Sequence, residues 1–470
     1  MKKEVITRYA PSPTGKFHIG GARTALFNYL FAKANNGIFI LRIEDTDIKR
    51  NQEGKENDQI DYMFWLNVVP DLLPGSIDRR APFKQSERLD FYHKYANFLL
   101  EKKLAYKCYC TEEELKKSRE EQLKKGITSP QYNLKCYNNP PKNVDGKSYS
   151  IRLHVPNDLN FEWEDRLRGK ISIPSSSIGD WVILKSDKQP TYNFANVIDD
   201  HFMGITHVMR GEEHLTNTAK QVHLYKLFNW DIPEFIHLTI IVNSEKKKLS
   251  KRDESVMQFV SNYKERGYLP EAVFNFLAFL GWSSKNEKEI YSKEELIKIF
   301  NLDGLSKAPS QFDIQKLKWI NNLYIQKLEE DSLYNFLSPF VKDIKIPEEQ
   351  KKQIFNLFKS QLKEGIEIKE LINLFTKKIL IDNSVKEIIK NNKQLFVDLF
   401  NELNKLNNWE ENKIKEIIDK IGYKLNLKGR NLLYPLRYVF TNEDSGPPLV
   451  KILYIFGKEK TMNILEKIKF

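Results

Sequence analysis

Cysteine is scarce in this sequence, and no apolar segment is long. Only three cysteines occur among 470 residues, too few for a closed disulfide framework. No run is long enough to span a bilayer, and the basic start, Met-Lys-Lys-Glu, leads into a short apolar strand without a signal region. We therefore expect a cytoplasmic protein that has no membrane segment.

Motifs for covalent catalysis are also missing. The sequence has no Gly-x-Ser-x-Gly elbow and no Ser, His and Asp residues in the order of a catalytic triad. It also has no internal repeat and no low-complexity tail. A reaction catalysed by this chain is therefore expected to join two bound partners directly, through positioning and charge stabilisation.

The length and the charge suggest several domains and a polyanionic partner. A chain of 470 residues with 41% hydrophobic and 12% aromatic residues can bury more than one core. The formal net charge is +12 and the sequence pI is near 9.1, a basic excess that suits nucleic acid without identifying it.

A proline- and glycine-rich turn, Pro11-Ser-Pro-Thr-Gly-Lys-Phe-His-Ile-Gly-Gly21, stands between an apolar run and a helical pattern. The pattern predicts a strand over residues 5–9 and a helix over 22–34, with Gly37 as the C-cap. A helix that begins at this turn offers free N–H groups to a phosphate, and His18 can donate to a phosphate oxygen. An isolated His-x-Gly turn is more often an ordinary surface turn.

A lysine-rich segment far downstream, Lys246-Lys-Lys-Leu-Ser-Lys-Arg252, changes that interpretation. Alone it is a charge run of the kind found on solvated surfaces. Together, His18-Ile-Gly20 and Lys248-Leu-Ser-Lys-Arg252 resemble the His-Ile-Gly-His and Lys-Met-Ser-Lys-Ser signatures of class I aminoacyl-tRNA synthetases. The departure is Gly21, where the general motif ends in His and the glutamyl branch tolerates a change.

The segments 189–200 and 206–214 closely resemble glutamyl-tRNA synthetases, and the resemblance implies three sets of functional residues. The catalytic set is His18, Lys248 and Lys251. The set that binds ATP, accompanied by Mg²⁺, is His18, Gly20, Glu213, Lys248, Ser250 and Lys251. The set that binds glutamate is Arg8, Ala10, Ser12, Glu44, Tyr192, Asn196 and Arg210.

The chemistry of glutamate agrees with this pocket. Two carboxylates and one ammonium need two cationic partners and one anion, which Arg8, Arg210 and Glu44 can supply. We expect Arg8 to read the side chain and Arg210 the α-carboxylate, although the sequence does not fix this division. Glutamine would leave one guanidinium without a charged partner.

A metal site is predicted from Cys108, Cys110 and Cys136, with Tyr132 four residues before the last cysteine. Zinc prefers four ligands of this soft or borderline kind, and several glutamyl-type enzymes carry zinc here with the same spacing. Asn138 stands where some members have His, so the fourth ligand is open. The alternative is three small buried residues in a metal-free remnant.

The expected fold class is α/β, with a Rossmann-type parallel-sheet catalytic domain followed by an all-α C-terminal half. We predict a catalytic domain from residues 1–107 and 187–240, with an inserted acceptor-stem-binding subdomain at 108–186. Residues 241–326 are expected to form a stem-contact domain that carries the lysine-rich segment. Residues 327–470 are expected to form a helical anticodon-binding domain.

The resemblance implies a monomeric glutamate–tRNA ligase that uses ATP, L-glutamate and tRNA(Glu). Gln361 falls where strict glutamate-tRNA readers often carry Arg, so tRNA(Gln) is a further candidate acceptor. Four rivals remain: a nucleotidyltransferase that shares the His-x-Gly turn, a tRNA-binding paralogue without catalysis, a glutaminyl enzyme, and a truncated relative that modifies tRNA and lacks the C-terminal third. Nucleotidyltransferases are short, a paralogue should have lost His18 or Lys251, and the bacterial glutaminyl form usually ends in β-barrels.

Overall fold

The computed structural model describes residues 4–47, 51, 54–142, 144–249 and 257–468. It confirms the predicted fold class, because parallel strands and helices alternate in the N-terminal half and helices form the C-terminal half. The chain divides into two compact units, one formed by residues 1–264 with 270–317 and the other by 265–269 with 318–470. None of the described helices is long and apolar enough to cross a membrane.

The strands all belong to the first unit. They are β1 Ile6–Tyr9, β2 Ile38–Leu41, β3 Ala105–Cys108, β4 Ser150–Leu153, β5 Asn160–Asp165, β6 Gly169–Pro174, β7 Trp181–Leu184, β8 His207–Gly211, β9 Glu234–Leu238, β10 Ile241–Val242 and β11 Ser310–Gln311.

The strands β1, β2, β8 and β9 form two parallel pairs. β1 pairs with β2 in the register Ile6–Ile38, and β8 pairs with β9 in the register His207–Glu234. Thr206 connects the pairs, because its N–H donates to the Ile6 carbonyl at 2.9 Å. β5 joins β9 in parallel and β6 in antiparallel orientation, so the segment predicted as an insertion contributes to this sheet. The strands β3, β4 and β7 form a separate antiparallel sheet.

The helices that lie in the first unit, or partly in it, are α1 Ile19–Ala34, α2 Lys55–Trp65, α3 Leu89–Glu101, α4 Glu112–Lys124, α5 Lys135–Asn138, α6 Tyr192–Phe202, α7 Leu215–Phe228, α8 Val260–Arg266, α9 Pro270–Ala278, α10 Lys293–Ile299 and α11 Ile314–Gln326. The first helix, α1, is buried on nearly every side. It therefore packs as an interior crossover between the parallel strands β1 and β2.

The predicted C-cap of α1 was wrong in detail. The C-cap is Asn35, and Asn36, with φ 51°, is the left-handed residue that follows it. Gly37 has a different role, because a Cβ there would lie 2.0 Å from the Val5 carbonyl oxygen. The glycine allows the chain to pass directly over the start of β1.

The second unit is helical over the residues that the structure describes. Its helices are α12 Glu330–Leu337, α13 Glu348–Phe358, α14 Ile368–Leu371, α15 Asn373–Thr376, α16 Asn383–Asn391, α17 Lys393–Asn404, α18 Glu411–Lys424, α19 Arg430–Thr441 and α20 Leu449–Lys467. Apolar side chains repeat along α17 and α18 with a helical period, and these residues are buried in the unit's core.

Candidate functional site

Two adjoining cavities open where the strands β1 and β8 end beside the start of α1. Their volumes are about 200 and 220 Å³. The residues that line both are Gly20, Gly21, Thr24, Gly211 and Glu213. Ligands of parallel α/β sheets bind at the carboxyl ends of the strands, which is where these cavities lie.

The first cavity brings together the two distant signatures. His18 and Lys248 both line it, as do Gly20 and Glu213. Four of the six residues predicted to bind ATP therefore lie around one space. The other two, Ser250 and Lys251, lie outside the described residues.

The backbone of the lysine-rich segment and of the residues after it is hydrogen-bonded next to this cavity. Within the segment, the Leu249 N–H donates to the Ile241 carbonyl at 3.2 Å. On the C-terminal side, Ile19 N–H donates to the Gln258 carbonyl at 2.8 Å, and Val260 N–H donates to the Phe17 carbonyl at 3.0 Å. The glycine turn and the residues that follow the lysines thus form a single backbone ladder.

His18 caps α1 and holds a defined tautomer. Its Nδ1 accepts the Gly20 N–H at 3.0 Å, so Nε2 carries the proton of the neutral ring. Nε2 lies 3.3 Å from Oε1 of Gln258. The donor nitrogen of His18 is therefore the one turned away from the helix backbone.

The second cavity contains most of the predicted glutamate pocket. Arg8, Ala10, Tyr192, Asn196 and Arg210 line it. Glu44 lies behind Asn196, whose Nδ2 donates to Oε1 of Glu44 at 2.8 Å. Ser12 is exposed and is not part of the lining.

A buried network of charges that sequence reasoning missed supports Arg8 and Glu44. Asp200 accepts from Nε and Nη2 of Arg8 at 3.2–3.3 Å, and from Nη1 of Arg42 at 2.6 Å. Arg42 also donates to Glu44 at 3.1 Å. Burial tends to raise the pKa of Asp200, but Arg8 and Arg42 outweigh it and lower the pKa. For Glu44, burial outweighs both arginines and raises the pKa.

The sequence contains a signal for this network. Arg42 is a charged residue at the end of the apolar run Ile38–Leu41, and Asp199 and Asp200 are consecutive carboxylates within α6. A second buried arginine, Arg88, donates to Asp199 at 2.6 Å. Buried charges need partners, so an isolated Arg in a core strand predicts nearby carboxylates.

Arg210 differs from Arg8 because no carboxylate neutralises it among the described residues. Its Nη2 donates to Thr218 Oγ1 at 2.6 Å and to Gln221 Oε1 at 2.7 Å, while Nη1 donates to the Tyr192 hydroxyl at 3.3 Å. The side chain is 5% exposed, and burial lowers its pKa. The cavity is therefore bordered by a desolvated guanidinium whose hydrogen-bond partners are all neutral.

The three cysteines form a compact cluster. Their Sγ atoms all lie within 4.8 Å of one another, and the Sγ atoms of Cys110 and Cys136 are 3.5 Å apart. The Tyr132 hydroxyl lies 3.5 Å from Cys108 Sγ and 3.4 Å from Cys110 Sγ. Two zinc-bound thiolates stand about 3.8 Å apart in tetrahedral geometry, so the donor set fits this metal.

Family models match almost the entire chain. The model described as the catalytic domain of class I tRNA synthetases (E and Q) matches residues 4–319, and an anticodon-binding domain matches residues 332–469.

Curated relatives and a solved structure agree with these matches. The chain is 47% identical to the glutamate–tRNA ligase of Geobacillus thermodenitrificans, over 99% of both chains, and 44% identical to that of Bacillus subtilis over the full length of both. The crystal structure of a glutamate tRNA ligase from Elizabethkingia meningosepticum, in complex with its amino acid, superimposes with a TM-score of 0.91 at 35% identity and covers 99% of each chain. The chain therefore belongs to the class I tRNA synthetases of the glutamate and glutamine group, within the glutamate–tRNA ligase family, and is an aminoacyl-tRNA ligase.

Proposed function

We propose that this chain activates L-glutamate with ATP and transfers the glutamyl group to the 3′ end of tRNA(Glu). The observation that carries the proposal is Arg210, a buried guanidinium with neutral partners at the wall of the second cavity. A desolvated cation is stabilised by an anion, and a glutamate carboxylate supplies one. The first cavity, lined by His18 and Lys248, adjoins it and takes the triphosphate.

In the first step, a carboxylate oxygen of glutamate attacks the α-phosphorus of ATP, and the bond to pyrophosphate breaks. Negative charge builds on the phosphate oxygens as this happens. The Nε2–H of His18 donates toward these oxygens, and Lys248, with Lys251 of the same segment, stabilises the departing pyrophosphate. Magnesium bound with ATP supplies further charge neutralisation, and Glu213 is a carboxylate in the wall of this cavity.

In the second step, a ribose hydroxyl at the tRNA 3′ end attacks the carbonyl carbon of the adenylate, and AMP leaves. The acceptor end would approach through the insertion at 108–186 and the stem-contact region at 241–326. The helical residues 327–470 would read the anticodon. The formal charge of +12 suits such a partner.

The experiment that tests the proposal is transfer of labelled amino acid to total tRNA, run separately with glutamate and glutamine. Glutamate should be transferred and free glutamine should not. Arg210→Gln should abolish the transfer at ordinary glutamate concentrations, whereas Arg79→Gln, at an exposed arginine outside both cavities, is the matched control. Transfer of glutamine in place of glutamate would overturn the proposal.

The role of His18 has its own test. His18→Ala should lower the rate of adenylate formation by about a hundredfold, as expected for loss of a donor to developing charge. The assay is glutamate-dependent exchange of pyrophosphate into ATP, with tRNA present. The kcat of this exchange should be lowered. Near-normal exchange would remove His18 from the mechanism.

We also propose that Cys108, Cys110, Cys136 and Tyr132 hold a structural zinc ion. The cluster's spacing supports it, as does the hydrogen bond from the Cys136 N–H to the Tyr132 hydroxyl at 2.8 Å, which fixes the ring beside the thiols. The ion would join the end of β3 to α5 and so stabilise the insertion.

We extend the proposal to tRNA(Gln) as a second acceptor. Gln361 lines a cavity of about 210 Å³ in the helical unit, together with Arg437. A neutral amide accepts a wider range of base edges than a guanidinium does. Charging of purified tRNA(Gln) with glutamate tests this, and lack of product would limit the enzyme to tRNA(Glu). The proposed setting is the cytoplasm, and the proposed active form is a monomer.

A further inference from the structure

A chain of buried hydrogen bonds ends on the guanidinium of Arg210. Thr218 Oγ1, which accepts from Arg210 Nη2 at 2.6 Å, lies 2.8 Å from Nε2 of His237. Nδ1 of His237 lies 2.6 Å from Oδ2 of Asp165. Thr218, His237 and Asp165 are each at most 1% exposed. Arg210 lines the second cavity, whereas these three residues do not. The chain of hydrogen bonds therefore lies behind Arg210 as seen from the cavity.

The donors along this chain have a fixed direction. Asp165 accepts the backbone N–H groups of Leu167 and Arg168, each at 3.0 Å, and that of His237 at 3.2 Å. A carboxylate is an acceptor, so Nδ1–H of His237 donates to Asp165. The Thr218 hydroxyl proton then has two acceptors, Nε2 of His237 at 2.8 Å and the His214 carbonyl at 3.2 Å. The lone pairs of Thr218 therefore face Arg210.

The arrangement orients Arg210 without neutralising it. Arg8 is held by the carboxylate of Asp200, whereas the carboxylate of Asp165 is separated from Arg210 by an imidazole and a hydroxyl. A carboxylate in direct contact would compete with a substrate carboxylate for the same donors. A neutral acceptor fixes the rotamer and leaves the positive charge for the ligand.

We propose that Asp165, His237 and Thr218 are positioning residues that hold Arg210 for a substrate carboxylate, and that they do so with His237 neutral. The inference rests on the proposed binding of glutamate. The charged and titratable groups around His237 are Asp165 at the end of β5, Arg168 from the β5–β6 turn, Arg210 from β8, and His214. Burial and the nearby arginines favour neutral His237, although Asp165 opposes them, and the net effect lowers its pKa.

The test compares Thr218→Val, which keeps the shape and removes the hydroxyl, with Thr218→Ser, which keeps the hydroxyl. Thr218→Val should raise the KM for glutamate about tenfold, the effect of losing one hydrogen bond to a charged group, and leave the KM for ATP unchanged. Thr218→Ser should restore the KM for glutamate to within about twofold. Equal impairment of both variants, or parallel changes in both KM values, would overturn the inference.

A second variant covers the case in which Thr218→Val does not fold, as judged by its circular dichroism. Gln221→Glu places a carboxylate where Gln221 Oε1 now lies, 2.7 Å from Nη2 of Arg210. It should also raise the KM for glutamate about tenfold or more, because it neutralises the charge that the neutral partners preserve. An unchanged KM for glutamate in this variant would contradict the inference.

The pH dependence supplies a third measurement. The KM for glutamate should rise toward acidic pH as His237 gains a proton next to Arg210, and His237→Gln should flatten this rise. An identical profile in His237→Gln would overturn the requirement for a neutral imidazole. If wild-type protein does not use glutamate at all, the proposed function fails; if it does and Thr218→Val behaves like wild type, only the positioning inference fails.

Discussion

Nη1 of Arg42 lies 2.6 Å from Oδ1 of Asp200, and neither side chain is more than 2% exposed. The same carboxylate holds Arg8, which lines the second cavity. One buried aspartate at the end of α6 therefore joins the strand β2 to the strand β1 and sets the position of a predicted glutamate-binding residue. The geometry of this part of the site depends on the charge network behind the cavity.

Loss of this carboxylate should destabilise the protein strongly. Asp200→Asn leaves Arg8 and Arg42 buried with one charged partner fewer, which costs about 3–5 kcal/mol of unfolding free energy. Urea unfolding measures the change. Asp331→Asn is the control, because Asp331 is 85% exposed in a surface ion pair and should change stability by less than about 1 kcal/mol. Similar values for the two variants would mean that the buried network contributes little.

Substitution of the two arginines of the second cavity should have different effects on stability, although both should weaken glutamate binding. Arg210→Gln removes a cation that is bound to neutral partners, so stability should fall little and the KM for glutamate should rise by about a hundredfold. Arg8→Gln also leaves Asp200 with one partner fewer, so stability and glutamate affinity should fall together. Paired measurements of urea midpoints and of the KM for glutamate and for ATP check this. A change confined to the KM for ATP would show that the pocket is assigned wrongly.

Burial of His223 should make the protein sensitive to acid. Burial lowers the pKa of this imidazole to about 4, and its Nδ1 has no hydrogen-bond partner among the described residues. Between that value and the ordinary 6.5, the unfolded chain binds a proton that the native state excludes, so stability falls as the pH drops through this range. By pH 5 the loss is about 2 kcal/mol. His223→Leu should lose less stability than wild type between pH 7 and pH 5, and equal losses would contradict this account.

Thiol reactivity should report the proposed zinc site directly, because all three cysteines of the chain belong to the cluster. Protein purified with zinc should contain one ion per chain, and its thiols should react slowly with a disulfide reagent. Addition of a strong chelator should release the ion and expose three reactive thiols. Cys136→Ser should weaken zinc retention. Three freely reactive thiols in zinc-supplemented protein, with no bound metal, would favour the metal-free alternative.

Local sequence patterns predicted the elements around the site well. The strand–turn–helix at residues 6–34 follows from a β-branched run, a Pro/Gly turn and an apolar helix, and the boundaries differ by only a few residues from prediction. The predicted role of Gly37 was wrong, because this position requires glycine to avoid a steric contact with Val5, which is distant in sequence. The left-handed residue after the C-cap is Asn36, one residue before Gly37.

The sequence by itself determined the family, the α/β class and the residue types that the chemistry requires, because motif spacing and periodicity are encoded locally. Only the tertiary structure decided which charges neutralise one another. Asp200 pairs with Arg8 across 192 positions, whereas Arg210 has neutral partners and keeps its charge for a ligand. Burial and distance control the energy of a charge, and both are properties of the packed chain.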